Sequence, residues 1–263
     1  EKLADKMGYT LRYDGSGGTG TGINRSRLVA ANTAAAKFYQ EELNKPGAAQ
    51  IGRDFLQKRG FDKAAAQSFG VGFAPDEWDA LYKHLKAEGF SDQEISTAGL
   101  SKDGTKGPID RYRNRLIWPV KNITGDIVGF GARKLASDEV DQGPKYLNTA
   151  ETPIYKKSQL LYGLDLAKKE IAKKRQVVIV EGYTDVISMH QCGVENVVAS
   201  SGTSLTTDQI RLISRYTKNI TVLYDGDAAG IKASMRGIDM ILEEGLNVRV
   251  VLFPNGDDPD SFA

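Results

Sequence analysis

Cysteine is almost absent from this chain of 263 residues, and that scarcity excludes two classes of small domain. The only cysteine, Cys192, cannot form an intramolecular disulfide, and no Cys-x-x-Cys pair is present to bind zinc. A disulfide-stabilised secreted domain is therefore excluded, and we expect no zinc within these residues. A reducing, cytoplasmic setting is the simplest expectation.

Long hydrophobic runs are lacking as well. No segment approaches the ~18 consecutive apolar residues of a membrane-spanning helix, and the first residues, EKLADK, do not resemble a signal peptide. We therefore expect no membrane partner. The chain starts with Glu1 rather than Met and ends three positions after an acidic motif, so we expect a fragment cut at both ends.

Neither sign of charge is in clear excess, because the net charge is only +1. Residues 101–180 nevertheless carry 16 basic and 9 acidic side chains, whereas residues 181–263 carry 6 and 12. A basic segment followed by an acidic one favours an enzyme that binds a polyanion and holds cations at its centre. Chance clustering on solvated surfaces explains the charges equally well, so the motifs must decide.

The first part of the chain divides into regions that differ in composition and in the spacing of apolar residues. Residues 1–23 are interpreted as the end of an upstream module and a linker, because residues 14–22 (DGSGGTGTG) contain five glycines. Apolar residues then recur at helical spacing to about residue 99, with one helix predicted from Asp76. Two apolar runs predict strands in a mostly β region over residues 101–150, and a helix is predicted over residues 157–172.

Beyond residue 175 the pattern is regular. Strands are predicted at residues 177–180, 196–199, 220–224 and 248–253, with helices between them. Such alternation predicts a parallel sheet of the α/β class. We expect an α/β fold (α+β overall): a helical and mixed subdomain over residues 24–172, followed by a parallel-sheet subdomain over residues 173–263.

Carboxylates follow three of these predicted strands. They are Glu181, Asp185, Asp225, Asp227, Asp258 and Asp260. One Asp-x-Asp in a loop is more often a turn or a cap, but parallel strands place all their carboxyl ends at one edge. Because clustered carboxylates repel one another, the set predicts a site for a hard divalent cation such as magnesium.

These motifs resemble those of the topoisomerase–primase (TOPRIM) fold, and of bacterial DnaG-type DNA primases in particular. The acidic motifs are residues 181–185 (EGYTD), 224–230 (YDGDAAG) and 258–260 (DPD). Matching signatures in the basic region are residues 110–115 (DRYRNR), 129–133 (GFGAR), 144–149 (PKYLNT) and 151–157 (ETPIYKK). The resemblance covers residues 24–263. It departs from the family at Ala132, Thr149 and Thr184, where Gly, Ser and Met are usual.

The resemblance implies an RNA polymerase that builds short primers on single-stranded DNA by nucleotidyl transfer, with Mg²⁺ or Mn²⁺ held by carboxylates. Glu181, Asp225 and Asp227 would be catalytic, and Asp185, Asp258 and Asp260 would complete the metal shell. The residues implied to bind nucleotides or DNA are Arg111, Arg115, Arg133, Lys145, Asn148 and Lys157.

The resemblance also implies partners and a setting. The expected substrates are ribonucleoside triphosphates, the growing RNA primer and the template strand. A replicative helicase would bind through a module absent here, as is the zinc module of the family. We expect a monomer in the bacterial cytoplasm, at the replication fork within the nucleoid.

Several alternatives remain. A TOPRIM nuclease or topoisomerase would keep the fold and cleave DNA, and a non-catalytic nucleic-acid-binding module or a phosphoacceptor domain would lack the chemistry. The aromatic residues of the basic region are interpreted as core more readily than as base-stacking platforms. The charge run at residues 168–175 is interpreted as a solvated helix face, and His84 and His190 as non-catalytic.

Overall fold

The computed structural model describes residues 23–202, 204–224 and 228–252. The proposed linker and four of the six predicted carboxylates therefore lie outside the described residues; those carboxylates are Asp225, Asp227, Asp258 and Asp260. Among the helices that are described, none has the length and apolar content that crossing a bilayer requires.

Helices dominate the start of the chain. They are α1 (Arg25–Asn44), α2 (Gln50–Lys58), α3 (Lys63–Ser68), α4 (Ala80–Ala87) and α5 (Asp92–Thr97). The Asn24 side chain accepts a hydrogen bond from the Ser26 N–H and so caps α1. The buried face of α1, which includes Leu28 and Tyr39, packs against the other helices and the first sheet.

An antiparallel sheet follows, with the strand order β1-β4-β5-β6. Its strands are β1 (Gly72–Ala74), β4 (Arg115–Lys121), β5 (Ile127–Lys134) and β6 (Tyr146–Asn148), and a separate hairpin joins β2 (Ser101–Gly104) to β3 (Gly107–Asp110). The short strand β6 forms the edge and pairs through Gly131↔Asn148. This edge faces the second sheet.

The second sheet is parallel, with the order β10-β9-β7-β8. Its strands are β7 (Val177–Val180), β8 (Val197–Ala199), β9 (Asn219–Tyr224) and β10 (Asn247–Leu252). The helices that precede or connect them are α6 (Leu164–Lys174), α7 (Tyr183–Gln191), α8 (Thr207–Ser214) and α9 (Ala228–Glu243). The α/β fold and the parallel sheet expected from the sequence are confirmed.

Central strand β7 is buried on both faces. Val178 and Val180 join a large core shared with the helices and the antiparallel sheet, whereas Val177 and Ile179 join a smaller core with α6, α8 and β9. Strand alternation divides the run of four apolar residues in this way. The large core includes residues on both sides of position 172, and the division of the chain at that point stays a prediction.

Three local expectations needed correction. The helix expected from Asp76 begins only at Ala80, and strand β1 lies in the part of the chain that the sequence predicts to be helical. The helix expected over residues 157–172 is a 3-10 turn (Lys157–Gln159) followed by α6. Its interruption has two causes: Gly163 adopts a φ of +81°, and Tyr162 pairs with Ala199 in a β-bridge that α-helix would prevent.

Candidate functional site

Glu181 lies directly after β7, at the carboxyl edge of the parallel sheet. Its side chain is exposed and lines a cleft of about 330 Å³ together with Asp185. The Asp185 carboxylate is buried, and its Oδ2 accepts the Gly182 N–H at 2.8 Å at the first turn of α7. We call this space the carboxylate cleft; Arg59, Lys145, Asn148 and Ser201 also line it.

Two cations face these carboxylates from the helical and antiparallel parts of the chain. Lys145 precedes β6 and is exposed, and Arg59 follows α2. The Lys145 ammonium lies 5.9 Å from the centroid of the Tyr146 ring. The carboxylate cleft thus combines hard anionic ligands with phosphate-binding cations.

Asn148 joins the two sheets at this cleft. Its Oδ1 accepts the Tyr183 hydroxyl at 2.6 Å, and its Nδ2 donates to the Ser201 carbonyl at 3.2 Å. The Ser201 N–H in turn donates to the Glu181 carbonyl at 3.1 Å. The edge strand β6 is therefore tied to the ends of β7 and β8, beside the candidate metal ligands.

Close packing at the junction requires glycine at position 131. A Cβ atom there would lie 2.3 Å from the Tyr183 ring, and that ring also stacks on Trp118 with an interplanar angle of 6°. Of the aromatic candidates in the basic region, Trp118, Tyr112 and Tyr155 are buried, and Tyr146 is 40% exposed. The core interpretation is confirmed for the three buried rings.

A second cleft, of about 460 Å³, lies on the other side of β6. Four cations line it, Lys102, Arg111, Arg113 and Arg115, together with three aspartates, Asp76, Asp110 and Asp141, and we call it the basic cleft. At its margin, the Arg113 guanidinium lies 3.5 Å from the centroid of the Trp78 ring, and Trp78 is 60% exposed. An exposed indole beside a guanidinium group can offer a base an aromatic ring next to a charge that binds phosphate.

Within the basic cleft, Arg115 already has partners. Its guanidinium is buried and donates to the Pro144 carbonyl at 2.8 Å and to the Asp141 carboxylate at 3.0 Å. Arg111 donates to the Asn148 carbonyl at 2.9 Å and so supports the junction as well. In this arrangement both arginines brace the loop before β6 and the strand itself.

Asp110 holds the Trp78 segment in place. Its buried carboxylate accepts the backbone N–H groups of Leu81 at 2.8 Å and of Tyr82 at 2.9 Å, and its own N–H donates to the Trp78 carbonyl at 2.7 Å. Burial raises the pKa of Asp110 to about 6, although the two backbone N–H groups lower it. The start of α4 depends on this carboxylate.

The remaining sequence-predicted cations lie apart. Neither Arg133 nor Lys157 lines either cleft. The Arg133 guanidinium lies 4.1 Å from the centroid of the Phe55 ring, and burial lowers the pKa of Lys157. The structure therefore brings Lys145, Asn148, Glu181 and Asp185 together, places Arg111 and Arg115 in the neighbouring cleft, and leaves these two outside both.

The described residues fit a divalent cation in part. Carboxylate oxygens of Glu181 and Asp185 are the ligands that Mg²⁺ prefers, and Mg²⁺ needs only a few of them. No group of three or more His, Cys, Asp or Glu that could hold a metal occurs within the described stretches of the chain. Strand β9, the neighbour of β7, is described up to Tyr224, immediately before Asp225.

Sequence reasoning missed four residues in or beside the two clefts. Arg59 and Trp78 belong to segments whose apolar pattern indicates packing, and Lys102 lies in a hairpin that carries no motif. Arg113 lies within the signature over residues 110–115 but is not among the predicted ligands. A signal was present for one of them: Trp78 falls between acidic residues in a segment with poor helical periodicity, which is unusual for a core indole.

Comparison with known proteins places the chain next to primases. Family models named "DNA primase catalytic core, N-terminal domain" and "Toprim-like" match residues 38–168 and 178–263. A DNA primase of Streptomyces coelicolor is 48% identical over 267 residues, which cover 98% of this chain and 41% of that protein. The chain spans about two fifths of the length of the curated relatives it matches.

Solved structures agree in fold. The RNA polymerase domain of Mycobacterium tuberculosis primase DnaG superimposes with a TM-score of 0.86 at 44% identity, covering 91% of this chain and 79% of that one. A DnaG primase catalytic domain bound to single-stranded DNA superimposes with a TM-score of 0.81 at 36% identity, covering 90% and 74%.

Proposed function

This chain belongs to the bacterial DNA primase family, and we propose that it forms the catalytic part of an enzyme that synthesises RNA primers on single-stranded DNA. The reaction would be nucleotidyl transfer: the 3′-hydroxyl of one ribonucleotide attacks the α-phosphate of the next, and pyrophosphate leaves. The observation that carries the proposal is Glu181 at the carboxyl edge of β7, facing Lys145 and Arg59 across one cleft.

Glu181, Asp225 and Asp227 would hold Mg²⁺ or Mn²⁺, with Asp185, Asp258 and Asp260 completing or orienting the shell. Asp225 is the next residue in the sequence after Tyr224, the last residue of β9, and β9 pairs with β7, which supports its inclusion. A bound divalent cation lowers the pKa of the attacking hydroxyl and neutralises charge on the phosphates. Asp185 contributes by fixing the first turn of α7 beside Glu181.

The cations of the carboxylate cleft would bind the triphosphate of the incoming nucleotide. Lys145 and Arg59 line that cleft, and both belong to parts of the chain outside the parallel sheet. Asn148 would hold β6 in place rather than bind the nucleotide. Its amide oxygen already accepts a hydrogen bond from Tyr183, and its amide nitrogen already donates one to the Ser201 carbonyl. A shift of Asn148 would move β6, and with it Lys145, away from Glu181.

The template would lie along the basic cleft. Arg113 and Lys102 offer charge to backbone phosphates, and Trp78 offers an exposed ring to a base. Arg115 would hold the wall of this cleft through Asp141, and Arg111 would connect the cleft to Asn148. Arg133 and Lys157 remain candidates for phosphate contacts outside both clefts.

Further partners are proposed from family membership. They are ribonucleoside triphosphates, the RNA primer, and a replicative helicase that would bind outside these residues, in a bacterial cell at the replication fork. We also propose that residues 24–172 and 173–263 act as two subdomains, with the carboxylate cleft between them, in a chain that works as a monomer.

The direct test is primer synthesis on single-stranded DNA with ribonucleotides and Mg²⁺ or Mn²⁺, comparing the chain with Glu181→Gln and Asp225→Asn. We expect metal-dependent RNA products that both substitutions abolish. Cleavage of the template, or relaxation of supercoiled DNA, would instead assign the chain to the nuclease or topoisomerase branch. RNA synthesis that survives both substitutions would refute the proposed site.

A further inference from the structure

A third cleft, of about 240 Å³, lies at the opposite, amino-terminal edge of the parallel sheet. Three cations line it, Lys174, Arg175 and Arg249, and none of its described lining residues is acidic. We call it the rear cleft. Two of its cations belong to the charge run that the sequence alone interprets as a solvated helix face.

The floor of the rear cleft is a network of amide side chains. Asn219 donates to the Arg175 carbonyl at 2.9 Å, and Asn247 donates to the Asn219 side chain, also at 2.9 Å. Gln176 donates to the Thr221 hydroxyl at 2.7 Å. The sheet edge beneath the cations is therefore braced by side-chain hydrogen bonds, and the backbone of Arg175 is held by Asn219.

Arg175 occupies a position that glycine or asparagine normally fills. It ends α6 in the left-handed region, with φ of +51° and ψ of +36°, and the following N–H of Gln176 returns to the Ile171 carbonyl at 3.2 Å. A residue with a Cβ atom is less favourable than glycine in this conformation. The arginine side chain is therefore not favoured by the local backbone conformation.

The helix dipole explains only some of the cations in and around the rear cleft. Cations in the last turn of a helix are favoured by the partial negative charge there, which accounts for Lys173 and Lys174. Arg249 lies on β10, outside that turn, and is exposed beside the same cleft. Cations from two separate elements thus converge where no described carboxylate lines the cleft.

The spread of the cations indicates the size of the ligand. Arg175 adjoins the start of β7, Arg249 lies on β10, and β9 separates those two strands in the sheet. Two strand spacings amount to about 10 Å, which is wider than one phosphate group. A ligand with two or more phosphates in an extended arrangement matches this backbone spacing better than a single phosphate does.

We propose that the rear cleft binds the phosphate backbone of the single-stranded template beyond the catalytic clefts. The identity of this ligand rests on the proposed function, because a primase core handles such a strand. The depth of the parallel sheet separates the two edges: six residues of β9 span about 20 Å. A short oligonucleotide would fill the catalytic side alone, and a longer one would reach the rear cleft.

The test compares a rear-cleft variant with a charge-matched control. The variant combines Lys174→Gln, Arg175→Asn and Arg249→Gln; asparagine accepts the left-handed conformation, so the end of α6 is retained. The control combines Lys37→Gln, Lys83→Gln and Lys169→Gln, three exposed lysines that line none of the three clefts. Fluorescence anisotropy measures the binding of single-stranded DNA of about 4 and about 16 nucleotides at several salt concentrations.

For the longer strand, we expect the rear-cleft variant to bind more weakly and to lose about 2 from the slope of log K against log salt, since each single-strand phosphate contact contributes about 0.7. The short strand should bind the variant and the unmodified chain alike, and the control should change neither slope. Losses that are equal for variant and control, or equal for the two lengths, would overturn the inference.

The failure of this inference can be told apart from the failure of the proposed function. If the rear-cleft variant keeps the full salt slope while Trp78→Ala weakens binding, the rear cleft is not a template site and the primase proposal stands. If neither oligonucleotide binds the unmodified chain, both proposals fail together.

Discussion

The antiparallel and parallel sheets meet at Asn148 and Tyr183, yet they supply opposite chemistry to the clefts on either side. The parallel sheet offers carboxylates, Glu181 and Asp185, at the end of one central strand. The antiparallel sheet and its helices offer cations and an exposed indole from scattered segments. The proposed metal ligands are thus brought together by strand order, whereas the cations proposed to bind phosphate are brought together by tertiary packing.

The largest effect on primer synthesis is expected from a substitution at the carboxyl edge of the parallel sheet. Glu181→Gln removes a charge that the proposed reaction needs, at a side chain that is exposed to solvent. We expect primer synthesis to fall by at least about 10²–10³-fold and the free energy of unfolding to change by less than about 0.5 kcal/mol. Glu195→Gln, another exposed glutamate of this half, is the control and should keep full activity.

On the antiparallel side, a carboxylate serves the fold instead. Because the pKa of Asp110 is raised to about 6, the folded chain holds a proton at pH values where the unfolded chain has lost it. Stability should therefore fall as the pH rises from about 4 to about 6, by about 2–3 kcal/mol. Urea unfolding across that range should show a flatter dependence for Asp110→Asn, and parallel curves for the two proteins would disprove this assignment.

Trp78 tests whether the antiparallel side binds the template. Trp78→Ala should weaken the binding of single-stranded DNA by about 1–3 kcal/mol, because a base loses its stacking partner. Trp78→Phe keeps a ring and should retain most of the affinity. Since the indole is 60% exposed, the thermal midpoint should hardly move in either variant. Unchanged affinity in Trp78→Ala would remove the basic cleft from the template path.

The smallest effect concerns the junction between the sheets. Tyr183→Phe removes the 2.6 Å hydrogen bond to Asn148 and should cost about 1 kcal/mol of stability. Combined with Asn148→Ala in a double-mutant cycle, it should show a coupling of at least about 0.5 kcal/mol. Additive losses would mean that the two sheets are not linked through this pair.

The parallel half was predictable from the sequence because its rules are local and regular. Apolar runs such as residues 177–180 mark buried strands, and a carboxylate one position after such a run, as Glu181 is, must lie at the carboxyl edge. The same reasoning extends to Asp225 and Asp227, which fall outside the described residues and whose roles stay predictions.

The antiparallel half was less predictable because its contacts join distant segments. Arg115 looked like a phosphate ligand, yet its pairing with Asp141, 26 positions later, depends on how the loop before β6 folds back. Arg59 lines the carboxylate cleft from the end of a helix whose apolar pattern predicts only packing. Neither periodicity nor a short motif reports such a long-range contact.

The division of roles between the two sheets can be measured directly by titrating Mn²⁺, detected by electron paramagnetic resonance, and single-stranded DNA, detected by anisotropy, into two variants. We expect Glu181→Gln to lose Mn²⁺ affinity at least tenfold, about 1.4 kcal/mol, while it binds DNA normally. Trp78→Ala should bind Mn²⁺ normally and should lose affinity for single-stranded DNA. Loss of both ligands in each variant, or unchanged Mn²⁺ binding by Glu181→Gln, would contradict the separation of metal and template sites.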